Sequence, residues 1–343
     1  MKFGRTDGAA THLPGASAGD PAGRFDWWQA LVRVLSCVEA VRDGRAMYVL
    51  LAAFSGAGLA LASARASFGR NELYWAIGQG SAALFVAFYG ANAAGLILMD
   101  RAMGRPGREV WQAVEDALGV AHRVLVSLAV MLCAGALIGA ALLGLYWASE
   151  WPRIGPWLFV LVVPLTVLVL ALVLLSGLAV VAPLTGPTVW AGASSWHSVR
   201  LVWRLIRERL LQATVLAGGL SLATGLVGAA CSGIVLIGGR VMAEASLFML
   251  GVDVKPELLM AGLFGYGLQN INPANISPEA LPYIRAATVG GGLVFALMLV
   301  LPTLVYLRGV CEVYLALMAS ERTVRFDAAT LTPPASGDGE TQP

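Results

Sequence analysis

The stretches that decide the fold are led by tryptophan: Trp28-Gln29-Ala30-Leu31, Trp111-Gln112-Ala113-Val114 and Trp196-His197-Ser198-Val199. Apolar residues follow each tryptophan three, seven and ten positions later. That spacing places them on one narrow stripe of a helix. The stretches start 83 and then 85 residues apart, and a long apolar run follows each one. This period predicts a threefold internal repeat, in which each unit is a surface-lying amphipathic helix followed by two membrane-spanning helices.

The composition is that of a membrane protein. Of the 343 residues, 58% are hydrophobic and only 13% are charged, whereas soluble domains carry roughly 25% charged residues. The net charge of +2 is too small to indicate a nucleic-acid partner. The basic residues are almost all arginine, a usage typical of a bacterial genome rich in G and C.

Uncharged runs between charged turns predict an all-α polytopic fold with six spans, since about 20 apolar residues cross a ~30 Å hydrocarbon core. We expect a disordered cytoplasmic tail, three repeats and a second disordered tail, at 1–24, 25–99, 100–186, 187–325 and 326–343. The third repeat contains a predicted extracytoplasmic loop at 240–286, with a short helix near 256–264 and a turn-rich patch at 270–278.

Local signals predict where individual helices begin and end. Asp26 is expected to cap the first surface helix, because its carboxylate can accept hydrogen bonds from the amides of the first turn. Pro187 and Gly192 are expected to break the chain before the third tryptophan-led segment. The sixth span is expected to continue past Pro302.

The distribution of lysine and arginine predicts the orientation. The tails, the tryptophan-led connections and Arg308 together hold 17 basic residues, against six in the turns after spans one, three and five. Cytoplasmic segments carry the excess of positive charge. We therefore expect a multi-pass protein of the bacterial cytoplasmic (inner) membrane, with both termini and all three surface helices on the cytoplasmic side.

The third surface helix is the most cationic, and Arg200, Arg204 and Arg207 fall on one flank of its apolar stripe. Anionic headgroups attract such a flank by about 1 kcal/mol per arginine. One interpretation is a lipid-sensing surface, in which the leading tryptophans Trp28, Trp111 and Trp196 also contact lipid. The alternative is ordinary anchoring and orientation by positive charge.

The second surface helix differs, because Glu115 and Asp116 make its exposed side acidic. One hypothesis is that it pairs with the basic third helix and closes a ring of three helices on the cytoplasmic face. The alternative is that these charges are solvated and have no partner.

Four residues form the possible intramembrane polar site: Gln79, Asn92, Arg308 and Glu312. Gln79 and Asn92 lie roughly 20 Å apart along one helix, so each amide is expected to bond a neighbouring helix or, alternatively, to line a polar cavity. Arg308 and Glu312 are four residues apart and can pair. Snorkelling at the membrane boundary is one explanation of that pair, and an intramembrane function is the other.

The motifs of common catalytic sites are missing from the sequence. No cluster of Asp, Glu, Cys or His falls within a span, and the sequence has no Walker motif and no GxSxG. The four cysteines have no CxxC spacing. We therefore expect no catalytic residues, no metal site and no cofactor.

The third surface helix carries a family resemblance. It follows a proline-containing span end, Val181-Ala182-Pro183, bears Trp196 and the arginines from Arg200 to Arg209, and feeds a new span. In this it resembles bacterial six-span proteins similar to the membrane domain attached to some glycerophosphoryl diester phosphodiesterases, and related domains of unknown function. The resemblance covers 25–320 as a pattern and 180–220 as sequence. No catalysis carries over, since the printed sequence contains no phosphodiesterase domain.

These observations predict a non-enzymatic membrane protein that acts as a lipid-interacting or envelope scaffold. The expected partners are membrane lipids, with anionic lipids among them, and a protein partner or a second copy of the chain. The alternative is a transporter or channel for a small molecule. Pro164 and Pro302 could break spans in a transporter, but the spans offer no acidic residue at mid-membrane.

Overall fold

The computed structural model describes residues 26–151, 155–250 and 281–331. In chain order the elements are α1 (Trp27–Leu35), a 3₁₀ helix (Ser36–Arg42), α2 (Gly44–Gly69), α3 (Leu73–Ala102), α4 (Val110–Ala148), α5 (Gly155–Ser176), a π-helical turn (Gly177–Val181), α6 (Ala182–Trp190), α7 (Ser195–Leu250) and α8 (Leu281–Leu331). No strand occurs among the described residues. The predicted all-α fold is therefore confirmed.

Six helical segments among the described residues are long and apolar enough to cross a membrane. They are Gly44–Gly69, Leu73–Ala102, Val110–Ala148, Gly155–Trp190, Ser195–Ala245 and Gly290–Ala319. The prediction of six spans agrees with this set. The sixth span does continue past Pro302, which lies inside α8.

The first tryptophan-led segment is a separate element. Asp26 caps α1 as predicted, and its carboxylate accepts hydrogen bonds from the backbone N–H groups of Trp28 and Gln29, each at 3.1 Å. The chain then tightens into the 3₁₀ helix before α2 begins at Gly44.

The other two tryptophan-led segments are continuous with the spans that follow them. Helix α4 runs unbroken from Val110 to Ala148, so the expected separate second surface helix is the first part of a rod about 58 Å long. In α7 the backbone leaves helical geometry at Arg209 (φ −138°, ψ 24°). This kink coincides with the predicted boundary between the third surface helix and the fifth span.

The end of the fourth span differs from the prediction. After α5 the helix widens into the π-helical turn and continues as α6, and Pro187 lies inside α6 instead of breaking the chain. Pro187 is itself buried, so packing compensates for the hydrogen bond that a proline removes from a helix. The break comes at Gly192, as predicted, where φ is +104°.

The predicted loop and tails lie largely outside the described residues. The patches at 256–264 and 270–278 and the tail 1–24 fall outside them entirely. Within the predicted loop 240–286, α7 continues to Leu250 and α8 begins at Leu281. Helix α8 also extends to Leu331, so the first six residues of the tail predicted at 326–343 are helical.

The core lies where α2, α3 and α8 pack together, and α1, the 3₁₀ helix, α6 and the first part of α7 contribute side chains to it. Its fully buried large side chains include Leu50, Leu98, Leu220 and Leu304. Since Leu98 lies near the end of α3 and Leu50 near the start of α2, this core reaches the predicted cytoplasmic ends of the first two spans.

Candidate functional site

The three leading tryptophans point away from the protein. Trp28, Trp111 and Trp196 are 72%, 70% and 59% exposed. Residues of the predicted apolar stripe are exposed as well: Leu35, Leu118 and Trp203. In an interfacial segment, an exposed stripe of this kind is available to lipid.

A second, adjacent face of each segment packs on the protein. Two positions after each tryptophan the side chain is buried, and six positions after it another is buried: Ala30, Val34, Ala113, Ala117, Ser198 and Val202. Successive residues are about 100° apart round a helix, so this face lies beside the exposed stripe. The three segments thus share one pattern of exposure and burial. Their common origin as a repeat stays a prediction.

Specific contacts hold these segments against the spans. The Leu31 side chain lies against Gly219 of α7. The hydroxyl of Ser127 donates hydrogen bonds to the carbonyls of Arg123 and Ser195, at 2.8 and 3.3 Å. The buried hydroxyls of Ser198 and Thr188 contact each other directly.

The basic flank of the third segment is exposed. Arg200, Arg204 and Arg207 all face outward, and the guanidinium carbon of Arg200 lies 5.4 Å from the centre of the Trp196 ring. A cation over an indole face is attracted by the ring quadrupole. This pair therefore combines a positive charge with a ring suited to the membrane interface.

On the acidic side of α4, Asp116 forms an ion pair with a residue close to it in the chain. Asp116 pairs with Arg108, which precedes α4, at 2.8 Å between the carboxylate and guanidinium atoms. Asp116 therefore has a partner next to its own helix, and the hypothesis that the second and third surface helices pair stays a prediction.

The predicted intramembrane polar residues lie in three separate places. Gln79 accepts a hydrogen bond from the Ser67 hydroxyl at 3.2 Å, near the turn between α2 and α3. The side-chain amide oxygen of Asn92 accepts a hydrogen bond from the indole N–H of Trp190 at 3.0 Å. Bonding of the Asn92 amide to another helix agrees with one of the two expectations for these amides.

Arg308 and Glu312 form the expected pair, with 2.6 Å between their charged atoms. The Glu312 side chain is 8% exposed, and Arg308 donates a further hydrogen bond to the carbonyl of Leu98 at 3.3 Å. The pair is therefore largely enclosed by protein. Arg308 bonds to Glu312 and to the Leu98 carbonyl, which differs from a side chain that snorkels freely into water.

Two further buried acidic residues were not predicted from the sequence. Asp43 pairs with Arg101 at 2.8 Å and Asp100 pairs with Arg108 at 2.7 Å, although their side chains are only 8% and 4% exposed. The one sequence signal was an aspartate adjoining an arginine at the end of a span, and that pattern alone does not distinguish a buried pair from a solvated one.

These ion pairs border a cavity at the predicted cytoplasmic ends of α2 and α3. Its volume is about 480 Å³, and the charged residues that line it are Arg42, Asp43, Arg45, Arg101 and Arg105. A smaller neighbouring cavity of about 150 Å³ shares three of its lining residues with the first and adds Glu39 and Arg308. We call the larger cavity the arginine cavity.

Cys37 of the 3₁₀ helix is fully buried, and this burial raises the pKa of its thiol to about 11. Among the described residues, no three His, Cys, Asp or Glu side chains cluster closely enough to hold a metal ion.

Comparison with protein-family models, with curated proteins and with solved structures finds no match for this chain.

Proposed function

We propose that this integral membrane protein has a non-enzymatic role and interacts with anionic lipid through its tryptophan-led segments, as an envelope scaffold. The observation that carries the proposal is the outward position of all three leading tryptophans. Indole rings favour the headgroup region because one edge is polar and the body is apolar.

The basic flank of the third segment supplies the preference for anionic lipid. Arg200 over Trp196 places a cation at the depth where that indole would lie. Attraction of about 1 kcal/mol per arginine adds up along the flank formed with Arg204 and Arg207. Each contribution is modest, so the surface would collect anionic lipid without binding one molecule tightly.

The proposed location is the bacterial inner membrane, with both termini cytoplasmic. Six spans return the chain to the side on which it started. The excess of arginine in the connections on that side supports the orientation. A protein partner or a second copy of the chain on the same surface is part of the proposal, as is the resemblance of 180–220 to the membrane domain of the phosphodiesterases.

A transporter or channel remains the second candidate. A transport path needs polar groups along one continuous cavity near the middle of the membrane. Among the described residues, Gln79, Asn92 and Glu312 instead bond three different neighbours. This separation favours the scaffold over transport.

Lipid co-purification tests the proposal. The purified wild type should retain more anionic than zwitterionic lipid, and the triple variant Arg200→Gln, Arg204→Gln, Arg207→Gln should lose about 3 kcal/mol of attraction for anionic lipid. The readout is the ratio of bound phosphatidylglycerol to phosphatidylcholine by mass spectrometry.

The matched control removes three arginines from the opposite end of the spans, with Arg65→Gln, Arg70→Gln and Arg240→Gln. It should leave the lipid ratio close to that of the wild type. Equal retention of phosphatidylglycerol by the wild type and the R200Q/R204Q/R207Q variant would contradict the proposal.

A further inference from the structure

The residues that line the arginine cavity carry an excess of positive charge. Four arginines and one aspartate line it, a net formal charge of +3. Arg101 is engaged by Asp43, and Arg45 donates to the carbonyls of Gly107 and Arg108, each at 3.3 Å. These bonds fix two of the cavity's guanidinium groups in place.

The other two guanidinium groups remain available. Arg42 and Arg105 are exposed, and no ion pair or side-chain hydrogen bond joins either of them to another residue in the ranges that the structure describes. They belong to different parts of the chain, since Arg42 ends the 3₁₀ helix before α2 and Arg105 follows α3. A ligand between them would be held from two elements.

The start of α2 adds partial positive charge to the same cavity. Gly44 lines it, and no side chain caps α2, because the carboxylate of its N-cap residue Asp43 is turned to Arg101. The first backbone N–H groups of a helix have no acceptor within the helix. They attract anions, as the helix dipole also does.

We propose that the arginine cavity binds a phosphate group, presented by the headgroup of an anionic phospholipid or by a soluble phosphorylated compound. Guanidinium groups bind phosphate through paired hydrogen bonds that match its oxygens. A volume of about 480 Å³ accommodates a headgroup. The cavity also lies between span ends on the arginine-rich side, a position where basic pockets bind lipid headgroups.

This site is distinct from the basic flank of the third tryptophan-led segment, and only its lipid form rests on the proposed interaction with anionic lipid. Arg42 and Arg105 precede and follow the first pair of spans, whereas the basic flank of the proposed lipid surface belongs to α7. Each site can therefore be altered while the other is left intact.

The test measures binding by the full-length protein purified in detergent. One arm titrates phosphatidylglycerol in mixed micelles and the other titrates inorganic phosphate, with affinity obtained from native mass spectrometry and from thermal shift respectively. The double variant Arg42→Gln, Arg105→Gln should bind about 30-fold more weakly than the wild type. The variant Arg42→Lys, Arg105→Lys should show an intermediate loss, since lysine keeps the charge without the paired hydrogen bonds.

The control Arg65→Gln, Arg123→Gln also removes two exposed arginines and should bind as the wild type does. A loss confined to phosphatidylglycerol assigns the site to a lipid headgroup, and a loss of inorganic phosphate binding assigns it to soluble phosphate compounds as well. Unchanged affinity of R42Q/R105Q for both probes would overturn the proposal, and so would a wild type that binds neither probe. If R42Q/R105Q melts at a lower temperature than the wild type without ligand, the affinity of the Arg42→Lys, Arg105→Lys variant is compared with that of the wild type instead. An affinity equal to that of the wild type would then overturn the proposal. Retention of lipid by R200Q/R204Q/R207Q would count against the proposed lipid surface alone.

Discussion

Helices α2, α3 and α8 bury 33%, 50% and 39% of the residues in their most apolar stretches, whereas spans three, four and five bury 11%, 6% and 11%. We call the first three helices the packed set and the other three spans the exposed set. The least buried span, Gly155–Trp190, is also the most apolar of the six. The most apolar span is thus the one least covered by protein, as expected of a helix that faces lipid.

The packed set is joined through small residues. Gly90 of α3 lies directly against Ala53 of α2, and Gly58 of α2 faces the side chain of Ala296 in α8. Lipid tails are as apolar as leucine, so helices associate in a membrane through close packing and polar bonds instead of hydrophobic exclusion. Gly139 and Gly144 of the exposed set face open space, which shows that glycine alone does not produce packing.

The largest expected difference between the sets concerns two ion pairs of the same type. Arg308 and Glu312 in the packed set are an i, i+4 pair enclosed by protein. Changing Glu312 to Leu leaves the Arg308 guanidinium, whose side chain is 21% exposed, without its carboxylate partner, which should cost about 3 kcal/mol of unfolding free energy. The measurement is unfolding by sodium dodecyl sulfate in mixed micelles.

Arg240 and Glu244 in the exposed set supply the control. They are also an i, i+4 pair, but their side chains are 79% and 60% exposed. Glu244→Leu should cost no more than about 0.5 kcal/mol. Replacing both Arg308 and Glu312 by leucine should cost less than the single change at Glu312. Equal costs at Glu312 and Glu244 would contradict the enclosure of the first pair.

The number of spans and several helix ends were predictable from local sequence. A cap such as Asp26 and a break at Gly192 depend on the backbone of a few neighbouring residues. The continuity of α4 was not predicted, because the change from an amphipathic pattern to an apolar run near His122 does not show whether the helix bends there. The break expected at Pro187 was wrong for a related reason. Packing of the buried proline overrides its local tendency to end a helix.

The composition of the candidate site was only partly predictable. The sequence identified the outward tryptophans and the Arg308–Glu312 pair. It did not identify the buried ion pairs of Asp43 and Asp100. A charged residue at the end of a span is either solvated or buried, and which of the two occurs depends on the helix end that packs beside it. That neighbour is fixed by tertiary packing across 58 residues in the case of Asp43 and Arg101.

An added methyl group should separate the two sets at the level of packing. Gly90→Ala in the packed set places a Cβ atom against the Ala53 side chain, and overpacking of this kind costs about 1–3 kcal/mol. Gly139→Ala in the exposed set meets nothing within 4 Å and should be neutral or slightly stabilising, since alanine favours helix. The detergent unfolding assay compares them. Equal effects would mean that α2 and α3 move apart freely and that the packed set is not tightly joined.

The smallest expected effect lies where the two sets meet. Trp190, at the end of the fourth span, donates its indole N–H to Asn92 of α3 at 3.0 Å, and both side chains are buried. Hydrogen bonds between helices in membranes average about 0.6 kcal/mol and reach about 2 kcal/mol. A double-mutant cycle with Asn92→Leu and Trp190→Phe should therefore give a coupling energy of about 0.6–2 kcal/mol, because each change removes one partner of the same bond. Thr166→Val is the control, since within the described residues the Thr166 hydroxyl bonds only the carbonyl of Val162 in its own helix, and its cycle with Asn92→Leu should give no coupling. If the Asn92–Trp190 coupling is also absent, this polar bond does not join the exposed set to the packed set, and the contact between them rests on the close fit of the indole ring alone.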